Sequence, residues 1–288
     1  MKLITFTVDE KTKIGALTGD RIADLGADEP QLNIDMLSLL NGGEEMMALA
    51  NETIGQAKTF YALKDVKLES PILNPGKILA IGMNYEKHAD EARALGIKVP
   101  EKQLWFNKQV TCVNGPFDAI DLPKVSDKLD YEAELAVVIG KRCRHVPRDE
   151  AESVIAGYMV SNDVSVRDWQ QHTATFTMGK SFDTHGPMGP ALVTRDEVSD
   201  PHNLNIKCYV NDELRQDSNT RDLIHDCFDQ IAYLTQAFTL MPGDILLTGT
   251  PSGVGAAMHP PVFLKTGDVV RCEVESLGHI ENKVEPES

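Results

Sequence analysis

The sequence predicts an α+β protein rich in β-strands, with a small N-terminal α/β domain at residues 1–70 and a larger domain at 71–288. Short apolar and β-branched stretches, bounded by Gly, Pro, Asn and Asp, recur along the chain, which is typical of strands joined by tight turns. The longest amphipathic helical patterns are confined to 34–60 and 222–239. A cluster of Pro, Asn and Gly at 71–76 marks the domain boundary.

The first domain should consist of a small meander followed by a helix in two pieces. Apolar stretches separated by polar turns within residues 3–25 predict the meander. Asn33 or Asp35 can cap the helix that follows, and the Asn-Gly-Gly sequence at 41–43 divides it. Residues 63–68 have the composition of one more strand.

Composition and charge exclude several classes of function. The chain has 288 residues, 42% of them hydrophobic and 25% charged, which is ordinary for a globular protein. A formal net charge of −16 argues against nucleic acid and anionic membrane surfaces as partners. The N-terminus lacks the apolar core of a signal peptide, and no apolar run approaches the ~20 residues that span a bilayer. Five scattered cysteines without a CxxC pair predict reduced thiols and a cytoplasmic location.

Two acidic residues at the start of a predicted buried strand form the strongest single pattern. The stretch 129–140 is apolar and β-branched in its second half, and Glu132 and Glu134 within it should point to the same face. Two adjacent carboxylates repel each other, so a positive group should lie between them. A divalent cation such as Mg²⁺, Mn²⁺ or Ca²⁺ would suit an all-oxygen set of ligands. The alternative is an edge strand with a solvated outer face and Lys or Arg opposite.

Two further segments bring polar side chains to one face of a predicted helix. His88 and Glu91 follow the strand predicted at 77–82 and stand three residues apart, so the carboxylate can orient an imidazole that acts as general base. Asp163 ends another strand, and Arg167 and Gln170 follow it at helical spacing. Each pattern also fits a helix with a solvated polar face.

Two loops carry less information. The long polar segment 93–115 could close over a site as a lid, or it could be a connection wrapped around the surface. The glycine-rich stretch 249–255 lacks the Gly-Lys-Ser/Thr ending of a phosphate-binding loop, which argues against a nucleotide site.

Taken together, these segments resemble the fumarylacetoacetate hydrolase family over about residues 75–285, and within it the domain-containing protein 2 branch and its bacterial relatives. The matching segments are Gly82-Met83-Asn84-Tyr85 with His88 and Glu91, Asp130-Tyr131-Glu132-Ala133-Glu134-Leu135-Ala136, Asn162-Asp163-Val164-Ser165 with Arg167 and Gln170, Gly179-Lys180-Ser181-Phe182-Asp183, and Pro242-Gly243-Asp244 with Thr248-Gly249-Thr250-Pro251-Ser252-Gly253-Val254-Gly255. The segment 171–178 has no clear match.

The resemblance implies a mixed β-sandwich roll, a homodimer and a role for each matched residue. The implied roles are Mg²⁺ (or Mn²⁺ or Ca²⁺) on Glu132, Glu134 and Asp163, catalysis by His88, Glu91 and Lys180, and substrate binding by Tyr85, Arg167, Gln170 and Thr250. The substrate would be a small anionic 2-oxo or 2,4-dioxo acid.

The reaction implied first is metal-dependent hydrolysis of a C–C bond in a 2,4-dioxo acid of the acylpyruvate or fumarylpyruvate type, in aromatic or sugar acid catabolism. Oxaloacetate decarboxylation is the alternative within the enzymes, together with other lyase, hydratase or isomerase reactions of the family, including a ureidoglycolate lyase-like one. A non-catalytic protein that binds a small acid is the alternative outside them.

Overall fold

The computed structural model describes residues 1–94, 96 and 98–288. The strands of this part of the chain are β1 (Lys2–Val8), β2 (Lys11–Thr18), β3 (Arg21–Asp24), β4 (Phe60–Ala62), β5 (Lys67–Glu69), β6 (Ile78–Gly82), β7 (Leu104–Lys108), β8 (Val113–Asn114), β9 (Ile120–Leu122), β10 (Leu129–Asp130), β11 (Ala133–Ile139), β12 (Ile155–Asn162), β13 (Ser165–Val166), β14 (Gly186–Thr194), β15 (Asn205–Val210), β16 (Glu213–Asn219), β17 (Ile245–Leu247), β18 (Val269–Val274) and β19 (Gly278–Pro286). The α-helices are α1 (Leu25–Asp28), α2 (Met36–Asn41), α3 (Gly43–Gly55), α4 (Glu86–Ala94), α5 (Arg167–Gln170), α6 (Thr177–Lys180) and α7 (Cys227–Ala237). The β-rich α+β class is therefore confirmed.

One large sheet runs through both predicted domains. Its strand order is β4-β3-β2-β1-β14-β12-β11-β17-β6-β7, with β5 and β8 attached to β1 and β14. The antiparallel pairing of β1 with β14 joins the first 70 residues to the rest of the sheet. The predicted boundary after residue 70 stays a prediction.

A second, five-stranded sheet packs against the middle of the first. Its order is β16-β15-β18-β19-β9, and its contacts with the large sheet run mainly from β15, β18 and β19 to β11, β12 and β14. The pair β10–β13 forms a separate short ladder near the site described below. The protein thus has two β-layers, with α2 and α3 covering part of the outer face of the large sheet.

The core is divided between the two faces of β11. Leu135 and Val137 join the cluster of buried side chains between the sheets, whereas Ala136 and Val138 pack in the cluster that includes helix α2. This alternation follows from the two-residue period of a strand. Glu134 is on the same face as Ala136, so the strand that fills the core also delivers a carboxylate.

Two sequence-based boundaries differ from the structure. The helix predicted at 222–239 begins only at Cys227, because the side chain of Asp226 accepts hydrogen bonds from the N–H groups of Phe228 and Asp229 and so caps it there. The segment predicted as a loop at 93–115 contains β7, which pairs with β6. Leu95 and Ile97 lie outside the described residues.

Candidate active site

Three buried carboxylates meet where β11 begins and β12 ends. One oxygen each of Glu132, Glu134 and Asp163 lies within 4.8 Å of the others. The pairing of β11 with β12 produces this arrangement, because Asp163 donates its backbone N–H to the carbonyl of Glu132 at 2.9 Å. Since β11 is flanked by β12 and β17, the edge-strand alternative for the two glutamates is wrong.

Three cationic side chains neutralise part of this charge. The ammonium group of Lys180 lies 2.7 Å from Oε2 of Glu132 and 2.7 Å from Oδ2 of Asp163. Burial raises the pKa of Glu132, but the charges of Lys180 and then Arg167 outweigh burial and hold that pKa at about 2. Lys108 binds the other carboxylate oxygen of Asp163, Oδ1, at 2.7 Å. Glu132 is therefore held as a charged group, and each carboxylate oxygen of Asp163 has a lysine ammonium group as its partner.

Glu134 has a different environment. Its Oε2 atom accepts the backbone N–H of Gly249 at 2.6 Å, and it has no ion-pair partner among the described residues. Burial raises the pKa of Glu134, and the charges of Asp163 and Glu132 raise it further. A divalent cation shared by the three carboxylates would remove this conflict, and their oxygens are the donors that Mg²⁺, Mn²⁺ and Ca²⁺ prefer. The residues present thus fit the cation that the sequence predicts.

A cavity of about 500 Å³ opens beside the carboxylates. Seven of the ten site residues predicted from the sequence line it: His88, Glu91, Glu132, Arg167, Gln170, Lys180 and Thr250. Glu134 and Asp163 lie behind them and are 1% and 0% exposed. Tyr85 is separate from this group: it is 1% exposed and borders another, smaller cavity beside Asp222 and Pro251.

A histidine–carboxylate pair occupies the wall formed by α4. Nδ1 of His88 lies 3.0 Å from Oε2 of Glu91, and the other carboxylate oxygen of Glu91 accepts the N–H of Gly253 at 3.0 Å. Because Nδ1 is engaged by Glu91, Nε2 is the ring atom left for a ligand in the cavity.

The backbone of the glycine-rich loop at 249–255 donates hydrogen bonds to carboxylates of the protein. The backbone N–H groups of Gly249, Gly253 and Gly255 donate to Glu134, Glu91 and Asp130, at 2.6, 3.0 and 2.8 Å. A Cβ atom at Gly253 would lie 2.1 Å from the carbonyl oxygen of Arg215, and one at Gly255 would lie 2.0 Å from that of Val262. The loop therefore has to be glycine at these points to approach the acids.

Arg167 links the carboxylates to the cavity. Its Nε atom donates to Asp130 at 2.8 Å, and its Nη1 atom donates to Glu132 at 2.6 Å and to Oε1 of Gln170 at 3.0 Å. The Nη2 atom is buried and has no hydrogen-bond partner among the described residues. A buried donor of this kind calls for an acceptor, and the carboxylate of a ligand would supply one.

The hydroxyl of Thr250 is already committed to the protein. It donates to the carbonyl of Ala133 at 2.9 Å and accepts from the side-chain amide of Gln216 at 2.8 Å. Its proton is thus unavailable to a ligand, although the residue borders the cavity. A role in substrate binding by Thr250 or Tyr85 stays a prediction.

Part of the cavity wall is apolar. It is formed by Leu104 and Phe106 of β7 together with Phe176, whose ring packs edge-on against that of Phe106 at 5.8 Å. Phe176 has a positive φ of 61°, so it is in the left-handed region that few side chains adopt. Phe176 belongs to the segment 171–178, which has no clear match in the family patterns.

A two-layer β-rich fold, three buried carboxylates and a histidine–carboxylate pair at one cavity define a class of protein that can hold a hard cation beside a small ligand. The sequence model of one family, described as "Fumarylacetoacetate (FAA) hydrolase C-terminal", matches residues 77–285. The chain belongs to the fumarylacetoacetate hydrolase family.

Relatives that match over most of their length refine this assignment. The chain is 44% identical over 268 residues to "Oxaloacetate tautomerase fahd2, mitochondrial" of Xenopus laevis, covering 92% of this chain and 83% of the relative. It is 41% identical over 289 residues to "Oxaloacetate tautomerase Fahd2a, mitochondrial" of Rattus norvegicus, covering 99% and 91%. The resemblance to the domain-containing protein 2 branch is therefore confirmed.

Solved structures agree with the fold. A fumarylacetoacetate hydrolase from Exiguobacterium antarcticum has a TM-score of 0.86 and 33% identity, with both chains covered completely. Maleylpyruvate hydrolase from Sphingobium sp. SYK-6, in complex with manganese(II) ion and pyruvate, has a TM-score of 0.82, 33% identity and complete coverage of both chains. The expected fold of the family is thus confirmed.

The prediction of a cytoplasmic location is wrong by the same comparison, because relatives at 41–44% identity are named as mitochondrial proteins. Reduced cysteines, the basis of that prediction, indicate only a compartment that lacks strong oxidants. No helix among residues 1–94, 96 and 98–288 is long and apolar enough to cross a membrane.

Proposed function

We propose that the chain is a divalent-cation-dependent enzyme that moves a proton between carbon and oxygen of a 2-oxo acid, with keto–enol tautomerisation of oxaloacetate as its first candidate reaction. The observation that carries the proposal is that His88 lines the same cavity as Glu132, one member of the three-carboxylate cluster, with the other two members directly behind it. The names of the relatives at 41–44% identity support the choice of oxaloacetate.

The cation site would be formed by Glu132, Glu134 and Asp163. A divalent cation there would act as a Lewis acid toward the oxygens of the 2-oxo acid and so make the adjacent C–H group more acidic.

His88 would carry the proton. Its Nε2 atom would accept a proton from C3 of the acid and return it to the oxygen on C2, while Glu91 keeps the ring oriented and stabilises the imidazolium. Lys180 has two of its three N–H groups bound to Glu132 and Asp163, which leaves one for the oxygen on which negative charge develops.

Arg167 and Gln170 would bind the second carboxylate of the substrate. The Nη2 atom of Arg167 is a buried donor at the cavity, and the amide oxygen of Gln170 is already engaged by Arg167, so its NH₂ group is the part left for a ligand. A 2-oxo dicarboxylic acid would thus be held by charge-assisted hydrogen bonds at both ends. By family resemblance we also propose a homodimer.

A second candidate is hydrolysis of the C–C bond of a 2,4-dioxo acid. The same His88–Glu91 pair would activate water for attack on the distal carbonyl, and the apolar wall of Leu104, Phe106 and Phe176 would accommodate an acyl chain. The 33% identity to the maleylpyruvate hydrolase favours this alternative, as does the size of the cavity. Decarboxylation of oxaloacetate, which requires no water, is the third candidate reaction.

The test is to follow three reactions with the same protein and with Mg²⁺ or Mn²⁺. These are the loss of enol absorbance of oxaloacetate, pyruvate release from oxaloacetate, and pyruvate release from acetylpyruvate, each corrected for the rate without protein. We expect cation-dependent tautomerisation that is lost in Glu134→Gln and in His88→Gln. Cleavage of acetylpyruvate alone would establish the hydrolase alternative, and inactivity in all three assays with intact Mn²⁺ binding would overturn the proposal in favour of a binding protein.

A further inference from the structure

Lys108 is a buried lysine beside the cation site that sequence reasoning did not single out. Its side chain is 0% exposed. The ammonium group donates to Oδ1 of Asp163 at 2.7 Å, to the carbonyl of Val164 at 3.3 Å and to the carbonyl of Lys180. An ammonium group has three N–H donors, so these three acceptors use all of them.

This saturation separates Lys108 from Lys180, the other lysine on Asp163. Lys180 lines the cavity and keeps one N–H free, whereas Lys108 is absent from the cavity lining and has no donor left. Lys108 therefore has no means of hydrogen-bonding to a substrate. All of its hydrogen bonds go to Asp163 and to the backbone carbonyls of Val164 and Lys180.

Lys108 lies on the same strand, β7, as two residues of the cavity wall. Residues 104, 106 and 108 share one face of the strand, because side chains alternate with a period of two. Leu104 and Phe106 form the apolar wall of the cavity, and Lys108 continues the same face to Asp163. One strand thus carries both the wall and the group that contacts the carboxylate.

We propose that Lys108 is a positioning residue for the cation site: together with Lys180 on Oδ2, it fixes the orientation in which the carboxylate of Asp163 lies beside those of Glu132 and Glu134, and it holds the backbone that carries Lys180. The inference rests on the proposed function, because it takes Glu132, Glu134 and Asp163 as the cation ligands. Without Lys108 the carboxylate of Asp163 would lose the partner of Oδ1 and be held by Lys180 at Oδ2 alone, so its rotation about χ2 would be less restricted.

The direction of the effect on cation affinity distinguishes positioning from simple charge. Lys108 is a positive charge beside a cation site, so if only its charge mattered, its removal would tighten Mn²⁺ binding. If it positions Asp163, its removal should weaken Mn²⁺ binding by about 10- to 100-fold, as is usual for groups that orient metal ligands. The two alternatives therefore predict opposite changes in Mn²⁺ affinity.

The experiment is a titration of the full chain with Mn²⁺ in the absence of substrate, followed by calorimetry and by the electron paramagnetic resonance signal of free Mn²⁺. The variant is Lys108→Met, which keeps the length of the side chain and removes the ammonium group. The matched control is Lys77→Met. Lys77 forms an ion pair of 2.6 Å with the buried Asp244, at the opposite end of β17 from the site.

We expect Lys108→Met to bind Mn²⁺ 10- to 100-fold more weakly and Lys77→Met to bind it as the wild type does. Unchanged or tighter binding by Lys108→Met would overturn the positioning role. Equal weakening by both variants would overturn it as well, because loss of any buried ion pair would then explain the effect. If the wild type itself bound no Mn²⁺, the cation site and the proposed function would fail instead.

A second measurement covers the case in which Lys108→Met does not fold. Lys108→Arg keeps the positive charge, but its planar guanidinium cannot direct three N–H groups to the acceptors of an ammonium. Positioning predicts that Lys108→Arg also loses Mn²⁺ affinity and has a lower kcat with a KM for oxaloacetate within threefold of that of the wild type. Wild-type affinity in Lys108→Arg would overturn the proposal.

Discussion

Nδ1 of His88 lies 3.0 Å from Oε2 of Glu91, one turn further along α4. The carboxylate is fixed at its other oxygen by Gly253, so the ring is held from a loop that is distant in sequence. Because a positioned general base contributes about 10²- to 10⁴-fold to a rate, we expect His88→Gln to lower kcat for oxaloacetate tautomerisation by that factor. Glu91→Gln should lower kcat less, since this variant keeps the imidazole of His88 and loses only the carboxylate charge that orients and stabilises the ring.

The control for this prediction is Glu86→Gln. Glu86 is an exposed acidic residue on the same helix, and its replacement should leave kcat unchanged. Mn²⁺ affinity should stay within twofold of wild type in all three variants. A loss of Mn²⁺ binding in His88→Gln would instead make His88 part of the cation site.

The second prediction concerns the glycine loop. Gly253→Ala should destabilise the protein by roughly 1–3 kcal/mol, because φ is +102° and the new Cβ would lie 2.1 Å from the carbonyl oxygen of Arg215. It should also lower kcat, since Gly253 holds Glu91. Gly267→Ala is the control: φ is +94°, but no atom lies within 4 Å of the new Cβ. Urea unfolding and steady-state kinetics should show a stability loss in both variants and a loss of kcat only in Gly253→Ala.

The third prediction is a pH dependence of stability caused by His185. This side chain is 0% exposed, and burial lowers its pKa from 6.5 to about 3. Above pH 6.5 the His185 side chain is neutral in both the folded and the unfolded protein, so it does not lower the free energy of unfolding. As the pH falls toward 3, the imidazole takes up a proton in the unfolded protein but not in the folded one, and the free energy of unfolding decreases. Between pH 6.5 and 5.0 this loss amounts to about 2 kcal/mol at 1.36 kcal/mol per unit.

Urea unfolding at pH 7.5 and 5.0 measures the effect of His185. We expect His185→Gln to lose about 2 kcal/mol less than wild type between these two values. The exposed His172 provides the control, and His172→Gln should follow the wild type. Parallel pH profiles for wild type and His185→Gln would show that other groups cause the dependence.

The fourth prediction concerns thiol reactivity. All five cysteines are buried and free, and the sulfur atoms of Cys208 and Cys272 lie 3.9 Å apart across two paired strands. Burial raises the pKa of Cys208 and of Cys227, which disfavours the reactive thiolate. A disulfide reagent such as DTNB should therefore titrate none of them in the native protein and all five in denaturant. Rapid reaction of any thiol in the native state would contradict this.

The sequence was sufficient to predict the carboxylates of the site because their spacing is local. Glu132 and Glu134 are two residues apart on a strand, and His88 and Glu91 are one helical turn apart, so each pair follows from the period of its element. The prediction that Glu132 and Glu134 share a site with Asp163 came from family resemblance. The β-rich class followed in the same way from short strands and turns.

The residues that sequence reasoning missed act over long separations. Lys108 lies 55 residues from Asp163, and in isolation it is a single lysine at the end of a short apolar strand. The hydrogen bonds from the glycine loop reach acids more than 100 residues away, and Gly253 lies 162 residues from Glu91. The composition of 249–255 could therefore only exclude a nucleotide loop. The acids that the loop binds lie on α4 and at or before the start of β11, and the fold brings them to the loop.

The glycine loop has a consequence for how such a protein can change during evolution. It secures Glu134, Glu91 and Asp130 through main-chain N–H groups, and at Gly253 and Gly255 any side chain would collide with a neighbouring carbonyl oxygen. The loop that holds these acids can therefore accept few substitutions. The side chains of Leu104, Phe106 and Phe176 in the apolar wall hold none of these acids. Substitutions there can therefore change which ligand binds while the carboxylates and His88 stay in place.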